Sequence, residues 1–204
     1  MPEIHTLVLG DYQVNCYIVS PQGGSHCCLI DPGYEAPVIV KKLNDLGLTL
    51  DAIVLTHGHF DHVGAVKDIV QLTGCRVYVN PLEKTLPPQL TAGPLCFTNA
   101  LQDGMTFTEA ALTFTALHTP GHTPGSMCLL TQGVLFAGDT LWAGSCGRTD
   151  FPGGNARDML SSLQRLSALP GETWVLPGHG ESTTIAEEKR NNPYMRQGFP
   201  GEYL

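Results

Sequence analysis

The chain opens with apolar and polar positions at the strand period. Ile4–Leu9, Val14–Ser20 and Cys27–Asp31 read as strands, with PQGG at 21–24 as a hairpin turn between the last two. Over Ala36–Leu46 the period lengthens to that of a helix, which should stop at Gly47 as its C-cap. Ala52–Thr56 is a short strand of buried type. It runs into a polar segment, a helix from about Asp61 to Leu72, and a strand at Arg76–Asn80. Pro81–Gly104 carries PP and GP dipeptides and predicts a long surface excursion around a short helix. Strands resume at Met105–Thr108, Leu112–Leu117, Met127–Thr131 and Val134–Ala137. A glycine-rich loop, Asp139–Gly154, leads to a helix at Ala156–Ala168 and a strand at Thr173–Leu176. Thr184-x-x-Glu187 is a capping box that opens the final helix.

Strands, helices, strands and helices in that order predict an α/β chain of two similar halves, each a sheet with helices on its outer side. No repeat and no dividing linker shows, so residues 1–204 are expected to form one domain. The 42% hydrophobic content is enough for one substantial core. A net charge of -8 argues against a nucleic-acid partner, which needs a basic surface. Apolar runs fall far short of the ~18 residues of a membrane span, and the start has no basic n-region or small-residue cleavage site. A soluble, cytoplasmic protein with no membrane partner is expected. Seven cysteines form no CxxC pair, and most sit in strand-like runs as buried, reduced thiols. Cys146, in the glycine-rich loop, is the one to test for reactivity.

Chemistry concentrates at His57-Gly-His59-Phe-Asp61-His62, four metal-capable side chains in six residues. Such crowding is costly to bury unpartnered, and a cation gives every member a partner. His57 and His59 are two apart and share no helix face, so the segment is a loop between strand and helix, where Gly58 permits a tight turn. His122 in HTPGHTPG, Asp139 in AGDT and His179 in PGHG each follow a predicted strand. Strand ends form a rim where separate loops converge on one cleft. The seven divide between two metals. His57, His59 and His122 suit one, Asp61, His62 and His179 the other, and Asp139 can bridge both. Room for a shared water marks a catalytic rather than a closed structural arrangement. The set suits zinc first, and also iron or manganese. Asp31, at the end of a strand, is expected to accept a hydrogen bond from a metal-bound histidine. Arg148 and Asp150 either anchor substrate or pair with each other to shape their loop, with pairing favoured. His5 and His26 carry no signal.

In order, T-H-x-H-x-D-H, T-P-G-H, G-D-T and P-G-H-G resemble the metallo-β-lactamase superfamily. The likeness runs from LIDPG at 29–33 to PGHGESTTIAEEKRNNPY at 177–194 and includes all seven ligand positions. It implies a four-layer αβ/βα sandwich, two mixed β-sheets face to face with helices on the outer faces. His118 is not a ligand position in that family and is read as structural. The resemblance also implies a dinuclear metal-dependent hydrolase. Two divalent ions bring about +4, Asp61 and Asp139 return about -2 and a bridging hydroxide about -1, so the centre is locally positive. The hydroxide would attack a carbonyl, with Asp61 orienting it and taking its proton. GDTLWAGSCGRTDFPGG and TTIAEEKRNNPY are similar to small prokaryotic glyoxalase II enzymes, the hydroxyacylglutathione hydrolases. That implies thioester hydrolysis of the S-lactoylglutathione type and a small acyl-thiol as partner. Longer glyoxalase II enzymes carry a C-terminal helical extension that helps bind glutathione, and that half of the substrate site is expected to be missing here. An iron-dependent persulfide dioxygenase, which shares GRTDF and most ligands, a lactonase, and a metal-binding protein without catalysis are the alternatives.

Overall fold

The computed structural model describes residues 1–196, so the last eight of the expected 1–204 domain lie outside the described residues. β1 (Glu3–Leu9), β2 (Val14–Ser20), β3 (His26–Ile30), β4 (Thr49–Val54), β5 (Arg76–Val79) and β6 (Asn99–Ala100) form one six-stranded sheet in that order. β1 to β3 are antiparallel, and β3 to β6 run parallel. The second sheet contains β7 (Thr106–Glu109), β8 (Leu112–His118), β9 (Met127–Thr131), β10 (Val134–Gly138), β11 (Trp174–Pro177) and β12 (Thr183–Thr184). Its order is β12-β11-β10-β9-β8-β7, antiparallel except at β10–β11.

The period-2 pattern explains how these sheets stack. All of β2 is buried, yet its residues face two ways. Tyr17 and Val19 meet Phe114, Leu129 and Phe136 between the sheets. Cys16 and Ile18 instead join Ile39 and Leu43 of α1 (Ala36–Leu46) and Ile69 of α3 (Val66–Thr73) on the outer face. On the far side, Leu135 and Ala137 of β10 pack on Met159, Leu163 and Leu166 of α4 (Ala156–Ser167) and Ile185 of α5 (Ile185–Asn191). The layers are therefore helix, sheet, sheet, helix, as the expected αβ/βα sandwich requires. Phe114 and Phe136 are fully buried in the central layer, and truncating either to alanine should cost ~3–5 kcal/mol.

Several elements differ from the sequence expectation. The helix expected over Asp61–Leu72 is two pieces, α2 (Phe60–Val63) and α3. The Pro32–Gly33 turn presses into the break. Ala65 donates its N–H to the Pro32 carbonyl at 3.1 Å instead of to Asp61 four residues back. A Cβ on Gly33 would lie 1.5 Å from the Asp61 carbonyl, so only glycine allows this approach. β4 begins earlier than predicted because Thr49 pairs with His26 where β3 itself begins. The Pro81–Gly104 excursion holds two short 3-10 turns, Pro81–Thr85 and Pro88–Leu90, and the two-residue β6. Neither β6 nor β12 is long enough to show a period. Thr184 caps α5 by accepting from the Glu187 N–H at 3.2 Å, but the box is not reciprocal. The Glu187 carboxylate bonds forward to Arg190 and Asn191. The final helix is followed by a short turn of helix, α6 (Pro193–Arg196), which the pattern does not announce. Gly47 ends α1 in the left-handed region at φ 66°, as expected. No helix among the described residues is long and apolar enough to cross a membrane.

Candidate metal centre

Each candidate ligand stands just beyond a strand. His57, His59, Asp61 and His62 follow β4, His122 follows β8, Asp139 follows β10 and His179 follows β11. The two sheets are joined at this rim. Met127 donates its N–H to the Thr56 carbonyl at 2.8 Å, tying the His57 loop to β9. Asn15 of β2 donates its side-chain amide to the carbonyls of Pro177 (3.1 Å) and Gly180 (3.0 Å), bracketing His179. The Tyr17 hydroxyl adds a 2.6 Å bond to the Pro177 carbonyl.

The outer nitrogens of the rings define their tautomers, because a carbonyl or carboxylate can only accept. His122 donates from Nδ1 to the Arg148 carbonyl at 2.7 Å, and His179 from Nδ1 to the Tyr12 carbonyl at 2.9 Å. His62 donates from Nδ1 to Asp31 Oδ2 at 2.9 Å. The Thr56 hydroxyl is spent on Asp31 Oδ2 at 2.5 Å, so its lone pairs accept from His57 Nδ1 at 3.1 Å. In the neutral form that a metal ligand requires, each of these four rings therefore carries its lone pair on the inward Nε2. His62 Nε2 and His179 Nε2 face each other at 3.3 Å. His59 turns Nδ1 toward His122 Nε2 at 2.9 Å.

Asp139 lies between the two groups. Its Oδ2 is 3.4 Å from His122 Nε2 and 3.8 Å from His179 Nε2, while Oδ1 is 3.5 Å from His62 Nε2. Asp61 Oδ2 is 3.3 Å from His179 Nε2. The ligand atoms of His57, His59 and His122 lie within 4.8 Å of one another, as do those of Asp61, His62 and His179. Asp31, His57 and His62 also satisfy that distance, but both Asp31 oxygens are already committed: Oδ1 accepts the Thr56 N–H at 2.8 Å. Asp31 thus orients its neighbours.

The crowding has two consequences. Buried His57 Nε2, His59 Nε2 and Asp139 Oδ1 have no hydrogen-bond partner. His57 Nε2 and Asp139 Oδ1 are buried acceptors with nothing to accept from, and two groups of ligand atoms converge beside them, so the donor set fits a metal. Ionisation is also displaced. Burial and the neighbouring imidazoles of His62 and His122 push His57 well below its ordinary value, and burial with His122 takes His59 down to about 4. Burial opposes charge on His62 too, but Asp139 and Asp31 lift it to about 9. Burial would raise Asp61, yet the hydrogen bond with His179 and the charge of His62 hold it at about 2.

The centre opens into a cleft of about 430 Å³ flanked by Tyr12, Phe60, Leu90, Trp142 and Phe151. Arg148 sits at its edge, forked onto Asp150 (Nε to Oδ1 2.6 Å) and 3.8 Å over the Phe151 ring. Of the two roles expected for this pair, the structure displays mutual pairing. Cys146 lies nearby but is buried, and burial pushes its thiol up to about 12, which removes the nucleophilic thiolate at neutral pH. His118 lies away from the cluster and bonds through Nε2 to the Pro124 carbonyl at 2.8 Å. Sequence reasoning missed the Arg148 and Tyr12 carbonyls, Thr56, Asn15 and Glu83. A backbone carbonyl has no residue signature, Thr56, Asn15 and Glu83 are ordinary in type, and the last two are distant in sequence from the loops they hold.

The model of the family described as the metallo-beta-lactamase superfamily matches residues 9–179. The hydroxyacylglutathione hydrolase GloC of Haemophilus influenzae is 35% identical over 199 residues, covering 90% of this chain and 93% of that one. The crystal structure of the BLEG-1 B3 metallo-β-lactamase superposes with a TM-score of 0.87 at 34% identity, over 95% of this chain and 100% of that one. TTHA1623 in a di-iron-bound form gives a TM-score of 0.82 at 37% identity, over 93% and 99%.

Proposed function

The chain belongs to the metallo-β-lactamase superfamily, and from that premise we propose that it is a dinuclear metal-dependent hydrolase of acyl thioesters of the S-lactoylglutathione type. The observation that carries the metal reading is the convergence of two groups of ligand atoms, each within 4.8 Å, on either side of Asp139, with buried His57 Nε2 and Asp139 Oδ1 left without a partner. His57, His59 and His122 would hold one ion, Asp61, His62 and His179 the other, and Asp139 both. When bound, two divalent cations acidify water and polarise a carbonyl oxygen. Zinc is the first choice. Iron is the second, supported by the likeness to a di-iron structure, and manganese also suits the donors. The likeness to a hydroxyacylglutathione hydrolase supports the thioester.

The protein's own residues supply the rest. Asp61, ionised throughout the working range, accepts a hydrogen bond from the attacking water and aims it. His122 and His179 are locked by carbonyl acceptors and cannot rotate away from the reacting centre. Tyr12, Phe60, Trp142 and Phe151 give the acyl-thiol an apolar wall that limits water around the thioester. Arg148 can exchange Asp150 for a substrate carboxylate without being buried.

The test is metal analysis of the purified protein together with thiol release from S-lactoylglutathione. The expected result is two ions per chain, steady thiol release, and an Asp61→Ala variant that binds the second ion more weakly and, with metal in excess, still loses roughly 100-fold or more in kcat. Absence of thiol release by the fully metallated protein overturns the thioesterase reading. Turnover of lactones instead would make it a lactonase, and oxygen uptake with glutathione persulfide at one iron per chain a dioxygenase.

A further inference from the structure

We propose that Glu83 is a positioning residue that sets the distance between the loop carrying His57 and His59 and the loop carrying His122. The proposal rests on reading these histidines as metal ligands. Glu83 lies in the 3-10 turn after β5, and no part of its side chain reaches solvent. Its Oε2 accepts the Gly58 N–H at 2.5 Å, on the residue between His57 and His59. Its Oε1 accepts the Gly125 N–H at 2.7 Å and the Thr123 hydroxyl at 2.8 Å, the latter on the residue after His122. One planar group thus grips a chain neighbour of all three imidazoles.

The surroundings are built for this grip. The Asn80 side chain accepts the Leu82 N–H at 3.0 Å, and its carbonyl accepts the Glu83 N–H at 3.1 Å, which fixes the turn. Ser126 Oγ lies 2.6 Å from Thr123 Oγ1 and accepts the Thr123 N–H at 3.2 Å, which aims the hydroxyl. A Cβ at Gly58 would meet Oε2 at 3.0 Å, and one at Gly125 would meet Oε1 at 2.6 Å. The tight turn expected of Gly58 is therefore a close approach to Glu83. Three donors converge on Glu83 and no acceptor does, so only an acceptor-only carboxylate satisfies them all. Burying a charge is costly, and the sheets are already joined here by the Met127 N–H to Thr56 carbonyl bond. What Glu83 adds is the relative position of the two loop tips.

Glu83→Gln keeps the volume and one acceptor but turns an amide NH2 toward a donor, so one tether is lost. Metal binding is measured by competition with a chromophoric chelator, using zinc as the probe, at a temperature where both proteins are folded by circular dichroism. Amide exchange at Gly58 and Gly125 is followed in the metal-stripped proteins. We expect zinc affinity to fall roughly 10–100-fold, with faster exchange at one of the two glycines. A residue that served the fold alone would lower the melting temperature and leave zinc affinity unchanged, and that result overturns the proposal. If Glu83→Gln does not fold, Thr123→Val, which removes one tether at constant volume, decides by the same zinc measurement. Failure of the wild type to bind zinc, iron or manganese overturns the metal reading and this proposal's premise with it. Zinc binding by the wild type with no change in the variant overturns the proposal alone.

Discussion

Asp31 shows how much a single side chain can organise. It sits at φ 50°, in the left-handed region that only a few residues tolerate, at the end of β3. That conformation brings its carboxylate under Thr56 and His62, where it fixes the His62 ring directly and the His57 ring through the Thr56 hydroxyl. Asp31→Asn should leave one of three donors unmatched and weaken metal binding roughly 10–100-fold, as read by chelator competition. Wild-type affinity in that variant would deny Asp31 its orienting role. The thiols give a second expectation. Six of the seven cysteines are buried, and Cys96 alone is exposed. Burial pushes Cys146 and Cys27 up to about 12 and Cys128 up to about 11. Because the thiolate is the reactive form, brief alkylation of the folded protein near pH 7.5 should label Cys96 and spare Cys146. Peptide mass spectrometry reads the outcome. The imidazoles were legible in the sequence because histidine is rare and their spacing is tight. Glu83 was not, since an isolated glutamate in a polar stretch looks like a surface residue until its burial is known.

At the scale of elements, the long periodic segments were legible and the short ones were not. α1, α4 and the main strands each bury a continuous face, so their period is written in the residues. The break between α2 and α3 comes from a turn about thirty residues earlier, which no local pattern can contain. The C-terminal helix shows the same logic in reverse. Glu188 accepts the Gly144 N–H at 2.8 Å, and Asn192 donates to the Ser145 carbonyl at 2.9 Å. The TTIAEEKRNNP stretch thus shapes the loop that carries Trp142 to the cleft. Outside the site, α4 is tied to the loop before β7 by Arg165 and Asp103 at 2.7 Å. Slight burial raises the Asp103 carboxyl, but hydrogen bonds from Arg165 and the His118 N–H outweigh it and hold it below 3.8. A depressed folded value means that the stabilisation is present above 3.8 and lost as pH falls through the lower folded value. Asp103→Asn should cost under about 1 kcal/mol at neutral pH, the pair being largely exposed. Urea melts at pH 7 and pH 2.5 check this, and an undiminished difference at the lower pH would contradict it.

The whole molecule is two layered halves that meet at the centre. The first sheet and its loops supply His57, His59, Asp61 and His62, and the second supplies His122, Asp139 and His179. Each expected ion takes donors from both halves, so metal binding should clamp them together. Each cation held at a hundred times its dissociation constant stabilises by about 2.7 kcal/mol, so two give about 5 kcal/mol, or roughly 10–20 °C in a domain of this size. Chelation should lower the melting temperature by that amount, and metal should restore it. An unchanged melt with full metal removal would mean that the ions do not favour the folded chain over the unfolded one, and the clamp would fall with it. The sequence by itself determined the class of chemistry, the seven candidate ligands and the layered order. Ligand chemistry is a property of residue type, and burial of one face repeats along each element. Tertiary structure alone decided which nitrogen of each ring faces inward, which carboxylate orients and which tethers, and where the helix breaks. Those outcomes depend on backbone carbonyls, close approaches and buried charges brought together from distant segments, and none of them leaves a local pattern.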